Sequence, residues 1–282
     1  LSPAYVPFIQ YAQSLGIDVA SGTNGRMVTP EVAEQILPAL TYIRFNVSGG
    51  TPRRYAEIMY SDPKRTDLFF RIMHNIASCV SVKRKRRLPV TIGTQMVLGP
   101  QDADQIIPFA QLSLDLGVDY GIIKHCSDDE QGSLGIDYSA YGGFEGLLRQ
   151  AEAMSTEQTR IVIKWTKIQD EGKCEYARVY GPPFLLQLSG SGLVAPSGMF
   201  FNARYSKLHI GNIVEERFRD IWRSERYWDT MNYLASPAFD ARSMQGTLPI
   251  QHYINTALDR HVRGVERIQA AAGPAPLHKN FV

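Results

Sequence analysis

Tyr42-Ile-Arg-Phe-Asn-Val-Ser-Gly-Gly-Thr-Pro52 holds a strand, a turn and a helix start in one run. Tyr42–Val47 is rich in aromatic and β-branched residues, which suit a pleated, half-buried surface. Gly49-Gly50 ends it. Thr51-Pro52 then supplies an N-cap hydroxyl and an N1 proline. The same device recurs at Thr29-Pro30-Glu31, which predicts a helix to about Leu40. Further strands are expected at Ile17–Ala20, Val90–Leu98, Asp119–Lys124 and Arg160–Lys164. Asp102 to Leu116 reads as a helix, with Ile106, Ile107, Phe109, Ala110 and Leu114 apolar and Gly117 as its stop. Strands joined by helical crossovers run parallel. The pattern is α/β: a barrel, a part-barrel or an open doubly wound sheet. Five strands are too few for a closed eight-stranded barrel.

The pattern changes after Lys173. Phe184–Leu188 and Leu193–Ala195 flank Ser189-Gly190-Ser191-Gly192, which predicts a β-hairpin. One long helix is expected from Val214 to Leu234, with Phe218, Ile221, Trp222, Met231 and Leu234 on a shared stripe. A last helix is expected from Ile250 to Val262. Ala270–Pro276 has linker composition. The expected organisation is therefore a partial parallel (β/α) barrel over 1–170. A small α+β extension with a hairpin and helices follows over 171–265, and then a tail over 266–282.

Bulk properties remove several function classes. A net charge of +2 makes no field that favours nucleic acid or an anionic membrane. The basic run Lys83-Arg-Lys-Arg-Arg87 has no interleaved aromatics for base stacking. It ends a helical stretch that begins near Lys64, where cations oppose the negative helix end. No apolar run approaches the roughly 20 residues that span a bilayer. The start at Leu1 has no signal-peptide pattern and leads us to expect a chain that begins inside a longer protein. The cysteines Cys79, Cys126 and Cys174 are scattered and odd in number, which fits a reducing cytoplasm rather than a disulfide scaffold.

Several stretches carry more specific content. Gly16-Ile-Asp-Val-Ala-Ser-Gly-Thr-Asn-Gly25 is a strand ending in a Thr-Asn-Gly turn, at the edge where parallel βα folds gather their sites. In Tyr180–Asn202 the hairpin contains Gly192-Leu-Val-Ala-Pro-Ser197. His209-Ile-Gly-Asn-Ile213 and Phe218-Arg-Asp-Ile-Trp222 follow. Together with Tyr42–Pro52, Val90–Leu98 and Gly121-Ile-Ile-Lys-His-Cys126, these stretches resemble the radical S-adenosylmethionine enzymes with a SPASM-type extension. The resemblance covers about residues 10 to 260. It implies a part-barrel that binds S-adenosylmethionine, with Asn24, Arg44, Asn46, Ser48, Gln95 and Lys124 as cofactor-binding positions. It also implies a [4Fe–4S] cluster, reductive cleavage of the cofactor, and hydrogen abstraction from a substrate that is often a peptide. Asn46 stands where the family usually has Ser, and Ser48 where it usually has Asp.

The family's cysteines are missing from this chain. They would be expected near Val179 or Tyr180, at Ser197, at Val214 and twice within Met244–Pro249, and none is there. A [4Fe–4S] cluster needs about four thiolates. No CxxxCxxC occurs either, so no metal-binding or catalytic residue is assigned. Neither the cofactor nor a cluster is expected to bind well to this chain alone, which is expected to be inert. The alternative is a non-catalytic, cysteine-depleted relative that binds a peptide or protein partner through the same scaffold. A βα-barrel lyase or isomerase finds no glycine-rich phosphate loop to support it. Asp128-Asp129-Glu130 is read as a solvated acidic loop in preference to a hard-cation site. Cys126 is read as an apolar filler, and His252 with Gln251 as packing residues.

Overall fold

The computed structural model describes residues 2–129, 131–169, 174–244 and 249–269. Glu130, the expected domain junction at 170–173, the segment 245–248 and the tail from residue 270 onward lie outside them. The chain forms two compact units. The first takes residues 2–126 and 137–169 of those described. The second takes 127–129, 131–136, 174–244 and 249–269.

The first unit is a parallel sheet with helices between its strands. In chain order it runs α1 (Tyr5–Ser14), β1 (Ala20–Thr23), α2 (Pro30–Ile36), β2 (Tyr42–Asn46), α3 (Pro52–Tyr60), α4 (Thr66–Arg86), β3 (Thr91–Leu98), α5 (Ile106–Leu116), β4 (Tyr120–His125), α6 (Glu145–Ala153), β5 (Arg160–Ile163) and α7 (Trp165–Gln169). Among the described residues the strand order is β1-β2-β3-β4-β5, all parallel. The order never reverses, which separates this sheet from a doubly wound one.

Three local readings are corrected. The first strand is Ala20–Thr23, not Ile17–Ala20. It is an edge strand whose single neighbour begins at Tyr42, and Ala20 is the residue paired with Tyr42. The second helix stops at Ile36, and a 3-10 turn over Leu37–Ala39 follows. Pro38 in that turn has no amide to continue an α-helix. Thr51 does not cap α3; its hydroxyl donates to Gln105 Oε1 at 3.3 Å.

One sheet face forms the core. Ile43, Phe45, Ile92, Met96, Ile123, Ile161 and Ile163 alternate onto it and are buried. Helix α5 lies against this face, where Ser113 and Thr94 hydroxyls bond at 2.8 Å. Helix α4 contributes Ile72 and Ile76, both buried. Its basic end is occupied locally: Lys83 pairs with Asp119 at 2.5 Å and Arg86 with Glu34 at 2.9 Å.

The second unit holds β6 (Gln187–Leu188), β7 (Leu193–Ala195), β8 (Gly211–Asn212), α8 (Phe218–Arg223), α9 (Glu225–Leu234) and α10 (Pro249–Val262). The hairpin pairs β6 with β7 antiparallel, and Gly211-Asn212 adds a third strand. Its turn needs Gly192, whose φ is +84° and whose missing Cβ would sit 2.6 Å from Asn212 Oδ1. The single helix expected over Val214–Leu234 is two. Ser224 is extended (φ −72°, ψ 152°), and its Oγ accepts from the Tyr227 amide at 3.1 Å, so it caps α9. The expected stripe is split as well. Ile221, Met231 and Leu234 are buried with Val179, Val194, Phe200 and Ile210, whereas Phe218 and Trp222 are exposed.

Candidate functional site

Side chains alternate along a strand, and the register aligns Arg44 with Gly93, Asn46 with Gln95 and Val97 with Lys124. Arg44, Asn46, Gln95 and Lys124 therefore share the sheet face opposite the core face. Arg44, Asn46 and Lys124 are half-buried there, and Gln95 is buried. Gln95 Nε2 donates to Asn46 Oδ1 at 3.2 Å. That bond does not use Asn46 Nδ2 or Gln95 Oε1, a donor and an acceptor suited to the polar edge of a ligand. Arg44 crosses toward β1, with Nη2 3.5 Å from where a Cβ on Gly22 would lie. Its Nε is buried without a hydrogen-bond partner.

The other two sequence-derived positions serve local structure. Ser48 is buried, and its Oγ accepts from the Val97 amide at 3.2 Å, tying β2 to β3. Asn24 is exposed, and its Oδ1 accepts from the Arg26 amide at 3.1 Å, closing the Thr-Asn-Gly turn. Asn75 of α4 fixes that turn by donating to Gly25 O at 2.9 Å.

Further along the same face stands Lys124, with Lys164 level with it. Burial pushes the Lys124 amine down to about 8, and the charges of Arg44, Lys167 and Lys164 act in the same direction, against the Cys126 thiol. Burial and the Arg44 charge also lower Lys164. Lys164 was not singled out in the sequence, where it only ends the expected strand Arg160–Lys164. The register pairs Ile122 with Val162, so Lys124 and Lys164 stand level one step further on. Lys167, buried on α7, carries no sequence signal, because its place depends on how that short helix folds back.

The rim is held rigidly. The Gly50 amide donates to Gln105 Oε1 at 3.0 Å, and a Cβ on Gly50 would meet the Pro108 carbonyl carbon at 2.1 Å. Arg54 is held by Asp102 at 2.9 Å, Asp104 at 3.0 Å and Glu57 at 2.8 Å. At the end of β4, the Cys126 amide donates to the Tyr141 hydroxyl at 3.2 Å, and that hydroxyl donates to Leu98 O at 2.7 Å. His125 faces the core side. Its Nδ1 donates to Cys126 O at 2.7 Å, and burial pushes the ring down to about 4.

An iron–sulfur cluster does not fit the described residues. Cys79 is buried in α4, where burial pushes its thiol up to about 12. Cys126 ends β4, and Cys174 belongs to the other unit. No group of three His, Cys, Asp or Glu is placed to hold a metal among the described residues. The acidic loop is turned inward on its own backbone: Asp128 accepts from the Asp129, Leu134 and Ile136 amides, and Asp129 from those of Gln131 and Ser133.

Among the described residues of the extension, no group of three His, Cys, Asp or Glu is placed to hold a metal. Ser197 is buried, and its Oγ accepts from the Met199 amide at 3.3 Å. Helix α10 presents Gln251, Asn255 and Asp259, spaced by four and fully buried. Gln251 Nε2 donates to Pro196 O and to Leu185 O. Asn255 Oδ1 accepts from the Gly181 amide at 2.6 Å, and Asp259 Oδ2 from the Ala177 amide at 3.3 Å. This polar stripe pins the irregular backbone around the hairpin. His252 bonds the Tyr176 hydroxyl at 2.9 Å.

No family model matches the chain, and no curated protein matches its sequence. Solved structures do match. Streptococcus suis SuiB bound to S-adenosylmethionine superposes with a TM-score of 0.58 at 14% identity, covering 81% of this chain and 53% of SuiB. Tagged anSMEcpe with bound AdoMet superposes with a TM-score of 0.53 at 13% identity, covering 90% of this chain and 73% of anSMEcpe. The chain thus spans about half the length of SuiB. It has an α/β fold shared with two proteins whose structures contain S-adenosylmethionine.

Proposed function

We propose that this protein is a radical S-adenosylmethionine-type protein with a SPASM-like extension. It binds S-adenosylmethionine on the sheet face opposite the core face, through Arg44, Asn46 and Gln95. The observation that carries the reading is the Asn46–Gln95 amide pair beside Arg44, in a fold shared with cofactor-bound structures. The pair suits the hydrogen-bonding edges of a nucleoside, and Arg44 suits a carboxylate. No CxxxCxxC occurs in this chain, so no step that needs a cluster is assigned to it. The substrate class that fits the resemblance is a peptide or protein.

Titration calorimetry with S-adenosylmethionine tests this reading. Weak binding is expected, because the chain has no CxxxCxxC cluster to chelate the cofactor, with affinity falling about tenfold or more in Gln95→Leu and in Asn46→Ala, as removing a hydrogen bond to a polar ligand predicts. No binding heat, or equal binding by the variants, would overturn it.

A second reading is a non-catalytic module that holds a peptide or protein partner. It is favoured by Ser197, a buried hydroxyl where the resemblance expects a cysteine, and by the exposed Val214, Phe218 and Trp222. A protein that binds its partner with full affinity after exhaustive iron chelation and without S-adenosylmethionine would fit this reading and not the first.

A further inference from the structure

The direction of the Arg44 side chain has a physical cause. Tyr42 and Arg44 lie two residues apart on β2 and point to one sheet face. In register, Arg44 stands between two glycines, Gly22 on β1 and Gly93 on β3. The two long side chains lean opposite ways over them. On the β3 side, a Cβ on Gly93 would meet the Tyr42 hydroxyl at 3.3 Å, so that place is taken. On the β1 side, a Cβ on Gly22 would meet nothing within 4 Å except Arg44 Nη2 at 3.5 Å.

Gly22 is exposed and is not among the glycines with positive φ. What it supplies is room, not a special backbone angle, and a glycine inside a strand often marks such a close approach. No hydrogen bond anchors Arg44 at Nε, which is buried without a partner. The guanidinium is therefore steered by its steric neighbours. A methyl at position 22 would touch Nη2 at ordinary contact distance. A β-branched side chain reaches about 1.5 Å further and has little rotamer freedom with which to turn aside.

We propose that Gly22 is a positioning residue that acts through Arg44. Its missing side chain lets the guanidinium lie over the edge strand β1, and this fixes where a ligand's carboxylate is taken, over β1 and to one side of the Asn46–Gln95 pair. This rests on S-adenosylmethionine binding by the same face, and it assigns to β1 the placing of the amino-acid end of that ligand.

The test titrates two ligands into the full chain by calorimetry: S-adenosylmethionine, and methylthioadenosine, which keeps the nucleoside and lacks the amino-acid end. Gly22→Val should weaken S-adenosylmethionine about tenfold, as loss of one contact to a charged group predicts, and leave methylthioadenosine unchanged. Gly22→Ala should show the same selectivity with a smaller loss, and it carries the comparison if Gly22→Val melts early. Ala20→Val adds bulk to the same face of β1 at the Tyr42 level and should change neither affinity. In Arg44→Ala, adding Gly22→Val should cause no further loss of S-adenosylmethionine, because the residue through which it acts is gone. Equal loss of both ligands in Gly22→Val, no loss, a loss matched by Ala20→Val, or additive losses with Arg44→Ala would overturn the proposal and leave cofactor binding standing. A wild-type protein that binds neither ligand would sink the cofactor reading and the role of Gly22 with it.

Discussion

Acidification should destabilise the sheet unit through one residue, His125. The ring is 2% exposed. It stacks edge-on to Tyr138 at 5.2 Å and lies 5.5 Å from Tyr141. Burial is the main cause that moves it from 6.5 to about 4, and the Lys167 charge adds to it. The unfolded chain therefore binds a proton as pH falls through about 6.5, while the native state does not until about 4. Stability is fully present above 6.5 and is lost as pH falls toward 4. At about 1.4 kcal/mol per pH unit, the window amounts to about 3 kcal/mol. Urea unfolding between pH 8 and 4, followed by exchange of the β4 amides, should show this slope in wild type and not in His125→Asn, which keeps a short donor toward Cys126 O. A His125 ring resonance that titrates at or above 6.5, or parallel pH curves for wild type and variant, would refute the reasoning.

Three further outcomes are expected. Lys124→Met should raise stability at pH 7 by about 1–3 kcal/mol, because it removes a half-buried charge that desolvation disfavours; the gap should close between about pH 8 and 10.5, where native Lys124 sheds its proton before the unfolded chain does, and a denaturant midpoint that drops at pH 7 would contradict this. Asn255→Ala should lower stability by about 1–3 kcal/mol, since it orphans the buried Gly181 amide, with faster exchange at Gly181 as the specific readout. Anaerobic reconstitution of this chain with iron and sulfide should give neither broad visible absorbance nor stoichiometric iron, and chelation should leave the melting of the extension unchanged, because its core is an apolar cluster pinned by α10; stoichiometric iron would reverse that conclusion.

The alternation of strand and helix was legible because it is local. β-Branched runs, Thr-Pro helix starts and glycine stops each act within a few residues, and they located four of the five parallel strands to within a residue or so. The polar face was legible for the same reason: strand period places Arg44 and Asn46 together once Tyr42–Asn46 is a strand. Other features depended on contacts distant in sequence. The position of β1 was set by its pairing with β2, and the break at Ser224 by a hydroxyl that competes with the helix backbone. Ser48 looks like a ligand in the sequence, yet it bonds the Val97 amide, and only the folded register brings that amide within reach. Gln251 was read as a packing residue and is buried, but Lys167, Asn255 and Asp259 are invisible beforehand because their partners lie on other elements. The sequence by itself determined the alternating α/β pattern and the residue types on the sheet face. Tertiary structure alone decided which of those residues converge, because burial exists only after distant segments meet.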